Sequence, residues 1–278
     1  MLSGFFGDIV GSVYEGRQWV SKDLSLFQNL PLNDNLSPSI LKKDKFIREH
    51  YFWTDDSLCT LALYHAYINK SSPIDSLVYF CNKYSDISTG FGKSFEKWLK
   101  NPVPYGSYGN GAIMRLGFIP FINENLNNKL AIGLEYTGIS HNHVDSYTSV
   151  EEFIKLIEKL KVASSVAIKK TIIEDVLIKF QFIKTVEMMH NDKKFEINSL
   201  TTFLQACRII LESDSYDNVF KNVFYVGGDS DTLACVAGNI AEHIWDFPRN
   251  YKDFVLELFI ETPELSNLIN DFILSTDS

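Results

Sequence analysis

Apolar residues recur along most of this chain at the spacing of an α-helix, three or four positions apart. Asp56 is followed by an apolar face of this kind, made of Leu58, Leu61, Ala62, His65 and Ile68. The most regular stripe follows Asp231 and consists of Leu233, Val236, Ala237, Ile240, Ala241 and Ile244. Short alternating runs joined by hairpin turns, which are typical of β-sheet, do not occur in the sequence. The pattern predicts an all-α fold.

Two more helices have recognisable starts. Ser72 and Pro73 supply an N-cap and a proline at the first helical position. The apolar residues of that helix are Leu77, Val78 and Cys81. Ser199 is predicted to cap another helix. Its apolar face consists of Leu200, Phe203, Leu204, Cys207 and Leu211.

Two stretches lack helical periodicity. Residues 17–51 are rich in Asn, Lys, Pro and Ser, and we expect a long loop there, of the kind that often serves as a lid or a binding loop. Residues 102–111 combine prolines and glycines with two tyrosines, and such glycines let backbone N–H groups approach a ligand closely. Because the sequence has no internal repeat and no low-complexity tract, we predict one domain over residues 1–278.

Two acidic clusters stand far apart, at residues 53–57 and 227–232. Each places two carboxylates and a hydroxyl group within a few residues, just before an apolar helical run. Either cluster alone is explained by helix capping and by the helix dipole. Two such clusters with hydroxyl groups favour a different interpretation, in which they are the halves of one metal site. Oxygen ligands of this type suit Mg²⁺ or Mn²⁺ rather than zinc.

Composition narrows the class of protein. A chain of 278 residues with 45% hydrophobic content can bury a sizeable core, and a formal net charge of −9 argues against non-specific nucleic-acid binding. Asp8 interrupts the first apolar run, no basic segment precedes it, and no apolar stretch reaches the ~18 residues of a membrane span. The cysteines are widely spaced, which predicts reduced core residues in a cytoplasmic protein. They are Cys59, Cys81, Cys207 and Cys235.

Four motifs occur in order, at residues 7–15, 54–56, 107–115 and 227–232. Together they resemble the ADP-ribosylglycohydrolase family, which includes the dinitrogenase reductase-activating glycohydrolases and the eukaryotic ADP-ribosylhydrolases. Ser140 and His141 fill the Thr-His position of that family, and the resemblance extends to about Ile244. Residues 21–27 are similar to its bacterial branch.

The resemblance implies an all-α orthogonal bundle with two Mg²⁺ ions at its centre, Mn²⁺ being an alternative. Asp231 is the carboxylate that most naturally bridges two ions, because a shared carboxylate reduces their repulsion. By motif position the ligands are Thr54, Asp55, Asp56, Asp229, Asp231 and Thr232.

The resemblance also implies a role for Glu15 at the metal site, in positioning or activating the attacking water. Taken alone, Glu15 reads equally well as a solvated surface residue. His141 is expected to line the ADP-ribose pocket, whereas capping or lining a helix end is the simpler interpretation of His143. The diphosphate and distal ribose would be held by Gly106, Ser107, Tyr108, Gly109 and Asn110, with Tyr108 available for stacking. Without the resemblance this segment is an ordinary glycine-rich turn.

The chain departs from the family pattern at a few positions. Ser57 replaces a common Thr, Ile113 replaces a small residue, and Val144 with Asp145 replaces a Pro-Glu pair. None of these changes removes a predicted metal ligand. They leave the preference for the leaving group open.

We therefore expect a Mg²⁺-dependent hydrolase that cleaves the bond between C1″ of ADP-ribose and an acceptor, acting as a monomer on an ADP-ribosylated protein or a small ADP-ribose conjugate. Two alternatives stay open: an immunity-type protein that neutralises an ADP-ribosylating toxin by binding, and a structural scaffold of the same fold. The acceptor is equally open among arginine, serine, a nucleic-acid base and an acyl group.

Overall fold

A computed structural model describes residues 1–15, 51–86 and 90–276. The loop predicted over residues 17–51, including residues 21–27, lies outside the described residues except for Tyr51. The described parts contain helices and no β-strand, apart from one isolated bridge between Gly109 and Asn198. The all-α prediction is confirmed.

The α-helices are α1 (Leu2–Ser12), α2 (Asp55–Asn69), α3 (Pro73–Lys83), α4 (Lys93–Lys100), α5 (Leu126–Gly138), α6 (Val144–Val162), α7 (Val166–Lys179), α8 (Val186–Asp192), α9 (Ser199–Leu211), α10 (Tyr216–Val226), α11 (Ser230–Ala241), α12 (Arg249–Leu258) and α13 (Pro263–Thr276). Three 3₁₀ turns between α4 and α5 cover Asn110–Ala112, Met114–Leu116 and Ile119–Phe121.

Helices α1 and α11 form the centre of the bundle, and every residue of both is buried. Glycines on one face of α1 let the two backbones touch. A Cβ atom at Gly7 would lie 2.2 Å from the carbonyl oxygen of Ala234, and one at Gly11 would lie 2.5 Å from Cα of Asp231. Any larger residue would push the helices apart. This close approach brings the end of α1 against the start of α11.

The predicted start of α3 is confirmed, whereas that of α9 is displaced by one residue. Ser72 caps α3 by accepting a hydrogen bond from the Asp75 N–H, with Pro73 at the first helical position. The N-cap of α9 is Asn198 and not Ser199, and its Oδ1 accepts from the Thr201 N–H at 3.0 Å. Both residue types cap helices well, so the sequence could not separate the two adjacent positions.

The structure also agrees with the predicted roles of His143 and of the cysteines. His143 is the N-cap of α6 and its Nδ1 accepts from the Asp145 N–H at 3.1 Å, which is the helix-end role. All four cysteines are free and buried, and the sulfur atoms of Cys59 and Cys81 lie 3.8 Å apart. Within the described ranges, no helix has the length and apolar character needed to cross a membrane.

Candidate active site

The first turns of α2 and α11 bring the two acidic clusters together beside α1. Thr54 is the N-cap of α2, and its hydroxyl accepts from the Asp56 N–H at 3.4 Å. Asp55 and Asp56 therefore do not cap this helix. Asp229 occupies the N-cap position of α11 but makes no side-chain capping bond. Capping of α2 is thus the role of Thr54, and it does not account for the carboxylates of Asp55 and Asp56.

Asp8 ties α1 to the start of α2, and it was not among the predicted site residues. Its buried carboxylate accepts from the Thr54 N–H at 3.0 Å, from the Thr54 hydroxyl at 2.6 Å and from the Ser57 N–H at 3.1 Å. The Ser57 hydroxyl donates to it as well. An Asp within an otherwise apolar buried helix was the available signal, but it was interpreted only as evidence against a signal peptide.

The carboxylates form two groups that share one member. Single oxygens of Asp8, Asp56 and Asp231 lie within 4.8 Å of one another, and single oxygens of Glu15, Asp229 and Asp231 do the same. The residue common to both groups is the one that the family resemblance suggested as a bridge. Each group could hold a metal ion, and carboxylate oxygens are the ligands that hard divalent cations prefer.

The polar contacts inside the cluster leave one oxygen without a donor. Asp56 Oδ2 accepts from the Thr232 hydroxyl at 3.3 Å, and Asp231 Oδ1 accepts from the Thr232 N–H at 2.9 Å. The buried Oδ1 of Asp56 has no hydrogen-bond partner among the described residues. Because an unsatisfied buried oxygen is costly, this atom is a natural ligand for a cation.

Burial raises the pKa of Asp55, Asp56 and Asp231 well above the ordinary range, and neighbouring carboxylates raise each pKa further. No lysine or arginine of the described ranges forms an ion pair with these three groups. Among the described residues, the cluster therefore has no ion-paired positive charge that would keep it ionised. A bound divalent cation supplies such a charge and reverses the pKa shift.

Glu15 lies at this cluster and not on a remote surface. Its carboxyl group hydrogen-bonds with Asp231, and it is partly buried beyond the end of α1. Burial raises the pKa of Glu15, and the charge of Asp229 adds to the rise. This position places Glu15 beside the carboxylates of Asp229 and Asp231.

A cavity of about 380 Å³ opens beside the cluster, a size within the usual range of small-molecule sites. One wall, here called the acidic wall, consists of Glu15, Asp55, Asp229, Asp231 and Thr232. Thr54 and Asp56 are not among the residues that line the cavity. The remaining boundary includes Tyr105, Ser107, Gly109, Asn110, Arg115 and His141.

The segment predicted to bind substrate divides into two parts. Ser107, Gly109 and Asn110 line the cavity, whereas Gly106 and Tyr108 do not. Gly106 has φ +69°, and its N–H donates to Asn142 Oδ1 at 2.6 Å. The Tyr108 ring is 46% exposed and packs edge-on against His143. The tyrosine that borders the cavity is Tyr105.

Asn110 connects the two parts of the site. Its Nδ2 donates to Asp229 Oδ2 at 2.7 Å and to the Glu196 carbonyl at 3.1 Å. Its Oδ1 accepts from the Thr202 hydroxyl at 2.8 Å. Asn110 is thus fixed on three sides and orients one carboxylate of the acidic wall.

Comparison with known proteins agrees with this architecture. The ADP-ribosylglycohydrolase family matches residues 1–242, a range that contains both acidic clusters, Glu15 and His141. A solved structure described as an ADP-ribosylglycohydrolase-related protein complex has a TM-score of 0.64 and 15% sequence identity, covering 99% of this chain and 95% of that chain. At this identity the likeness shows a shared fold. No curated protein matches the sequence significantly.

Proposed function

Since the chain belongs to the ADP-ribosylglycohydrolase family, we propose that it hydrolyses the glycosidic bond between C1″ of ADP-ribose and an acceptor, with Mg²⁺ as cofactor. The observation that supports this most strongly is the buried group of carboxylates around Asp231 at one wall of a ligand-sized cavity. The mutual repulsion of these carboxylates destabilises the metal-free protein. A purely structural scaffold, or a protein that acts only by occlusion, would gain no function from such a destabilising cluster.

The residues present fit a pair of hard divalent cations. Every available donor is an oxygen, and the unpartnered Oδ1 of Asp56 needs a cation to satisfy it. Asp8 accepts a hydrogen bond from the Thr54 hydroxyl and so fixes the start of α2. We assign the ligands as Thr54, Asp55, Asp56, Asp229, Asp231 and Thr232. When bound, the ions would supply Lewis-acid stabilisation and orient ribose hydroxyl groups.

Glu15 is the proposed general base. Its carboxylate lies beside Asp229 and Asp231, at the edge of the cavity where water enters. As the bond from C1″ to the acceptor breaks, Glu15 takes a proton from the attacking water, whose oxygen forms the new bond to C1″. The proton taken up by Glu15 is then delivered to the departing acceptor, which gives free ADP-ribose, the restored acceptor and Glu15 as a carboxylate again. The developing charge on the sugar is positive, which suits a site lined by carboxylates.

The substrate side of the cavity is assigned to Ser107, Gly109, Asn110 and His141, which would hold the diphosphate and the distal ribose. Gly106 is proposed to support this segment through its hydrogen bond to Asn142. Tyr105 borders the cavity, so we place a stacking role there and not at Tyr108.

Release of ADP-ribose from defined conjugates tests the proposal. ADP-ribosyl-arginine, ADP-ribosyl-serine, an ADP-ribosylated base and an acyl-ADP-ribose would each be incubated with the protein in Mg²⁺ or in EDTA. We expect Mg²⁺-dependent release from at least one conjugate. Asp214→Asn, which changes an exposed aspartate outside the cavity, is the matched control for Asp231→Asn. The proposal fails if no conjugate is hydrolysed, or if EDTA leaves the rate unchanged.

A further inference from the structure

Arg115 is a buried cation at the boundary of the cavity, away from the acidic wall. The residue is 1% exposed, and its Nη2 donates to the Tyr136 carbonyl at 3.1 Å and to the Ser140 hydroxyl at 2.8 Å. No carboxylate in the described ranges pairs with its guanidinium, and its buried Nε has no partner there. The nearby titratable groups include Cys59 and Tyr105, and the raised pKa of each keeps it neutral at pH 7. Arg115 therefore carries a positive charge that has no counter-ion among the described residues.

The contact between Arg115 and Ser140 fixes the direction of the next hydrogen bond. A guanidinium can only donate, so the Ser140 oxygen accepts from it. The Ser140 oxygen could accept from a second donor as well, but among the described residues its only hydrogen-bond partners are Arg115 Nη2 and His141 Nδ1. The Ser140 proton therefore goes to His141 Nδ1, which lies 2.7 Å away. Nδ1 of His141 is consequently an acceptor and carries no proton.

His141 is held neutral by its surroundings. Burial lowers the pKa of His141 well below its ordinary value, and the charge of Arg115 lowers it further. A neutral imidazole that accepts at Nδ1 must carry its proton on Nε2. The Nε2–Cε1 edge of the ring lies close to Gly111, where a Cβ atom would come within 2.8 Å of Nε2. The ring lines the cavity, and Nε2 has no acceptor among the described residues.

We propose that Arg115, Ser140 and His141 form a relay that presents the His141 Nε2–H, backed by the charge of Arg115, to an anionic oxygen of the ligand. The chemistry that this subsite recognises is a phosphate oxygen of a nucleoside diphosphate. The choice of that ligand rests on the proposed function; the direction of the relay rests on its hydrogen bonds alone. His141 is then a donor and not a general base, and Arg115 and Ser140 are positioning residues.

Binding of ADP in EDTA tests this subsite apart from the metal site, because ADP carries the diphosphate but lacks the distal ribose whose hydroxyl groups the ions would orient. Ser140→Ala removes the hydroxyl that fixes the ring, and we expect ADP affinity to fall about three- to tenfold, the effect of one hydrogen bond. His141→Phe keeps a ring without an N–H and should lose about tenfold or more. Ser140→Thr keeps the hydroxyl, is the residue common at this position in the family, and should bind ADP like the parent.

Ser213→Ala is the matched control, because Ser213 is buried, donates to the Ile209 carbonyl and accepts from Asn222, and is not among the residues that line the cavity. If Ser140 had only a structural role, Ser140→Ala would not change the tautomer of His141. The second measurement is therefore ¹⁵N NMR of the imidazole. We expect the proton on Nε2 in the parent and in Ser140→Thr, and a mixture of tautomers in Ser140→Ala.

Four results would overturn the relay: a proton on Nδ1 of His141 in the parent, a doubly protonated ring at pH 7, failure of the parent to bind ADP, or equal ADP affinity in Ser140→Ala and the parent. None of them concerns hydrolysis. A protein that binds ADP as described but hydrolyses no conjugate would refute the proposed reaction and leave the relay in place.

Discussion

The acidic wall and the Arg115 relay face the same cavity and carry opposite buried charges. The acidic wall is built on the first turns of α2 and α11, where helix dipoles favour negative groups. Arg115 instead lies in a 3₁₀ turn and is tied to Tyr136 and Ser140 by neutral acceptors. Neither charge is neutralised within the described residues. We infer that a ligand set with cations at one end and phosphates at the other would neutralise both.

The largest expected effect comes from removing the carboxylate shared by both oxygen groups. Asp231→Asn keeps the shape of the side chain but removes the charge that would link two ions, so we expect loss of detectable turnover and of the rise in thermal midpoint that Mg²⁺ gives the parent. In EDTA the variant should be at least as stable as the parent, because a repulsive buried charge is gone. Asp214→Asn should behave like the parent in each assay.

Glu15→Gln tests the part of the acidic wall that is assigned to proton transfer. Because general-base assistance contributes ~10²–10⁴-fold, single-turnover hydrolysis should fall by about that factor. Free ADP-ribose should still bind within a few-fold of the parent affinity in calorimetry, since the aspartates that hold the ions are intact. Hydrolysis close to the parent rate would return Glu15 to an ordinary surface role, and joint loss of binding and turnover would make it a ligand or pocket residue.

Asp8→Asn tests whether the acidic wall depends on support from α1. The amide cannot accept all the hydrogen bonds that Thr54 and Ser57 donate, so the start of α2 should loosen. Residues that orient metal ligands typically contribute 10–100-fold to metal affinity, and a loss of about this size is expected in a Mg²⁺ titration. Unchanged affinity, with the fold checked by circular dichroism, would limit Asp8 to a role in packing.

The pH dependence of stability in EDTA should distinguish the acidic wall from the relay. A carboxyl group whose pKa is raised in the folded protein, such as Asp231, contributes to the free energy of unfolding at low pH. This contribution is lost as the pH rises above the pKa of about 4 that the group has in the unfolded chain. His141, with a lowered pKa, has the opposite effect, so its contribution is lost as pH falls below about 6.5. In a plot of thermal midpoint against pH, Asp231→Asn should therefore reduce the fall in midpoint above pH 4. His141→Phe should reduce the fall in midpoint below pH 6.5. If both variants give curves parallel to the parent, these assignments are wrong.

The sequence predicted the helices because their apolar periods are local, and it located the two aspartate clusters because each is contiguous. Asp8 was missed because its partners Thr54 and Ser57 are more than forty positions away. The relay depends on Arg115 meeting Ser140 across the fold, and the division of the loop between Ser107 and Tyr108 depends on how the chain turns after Gly106. Contacts of this kind are set by tertiary packing, which periodicity does not encode.

The most direct test of the central claim is the number of Mn²⁺ ions bound per chain, measured by equilibrium dialysis with metal analysis on the parent and on Asp231→Asn. The account predicts two ions per chain in the parent, magnetically coupled in EPR because Asp231 joins them, and no coupled pair in the variant. An uncoupled single ion in the parent, or two ions bound equally well by Asp231→Asn, would contradict a binuclear centre built on Asp231.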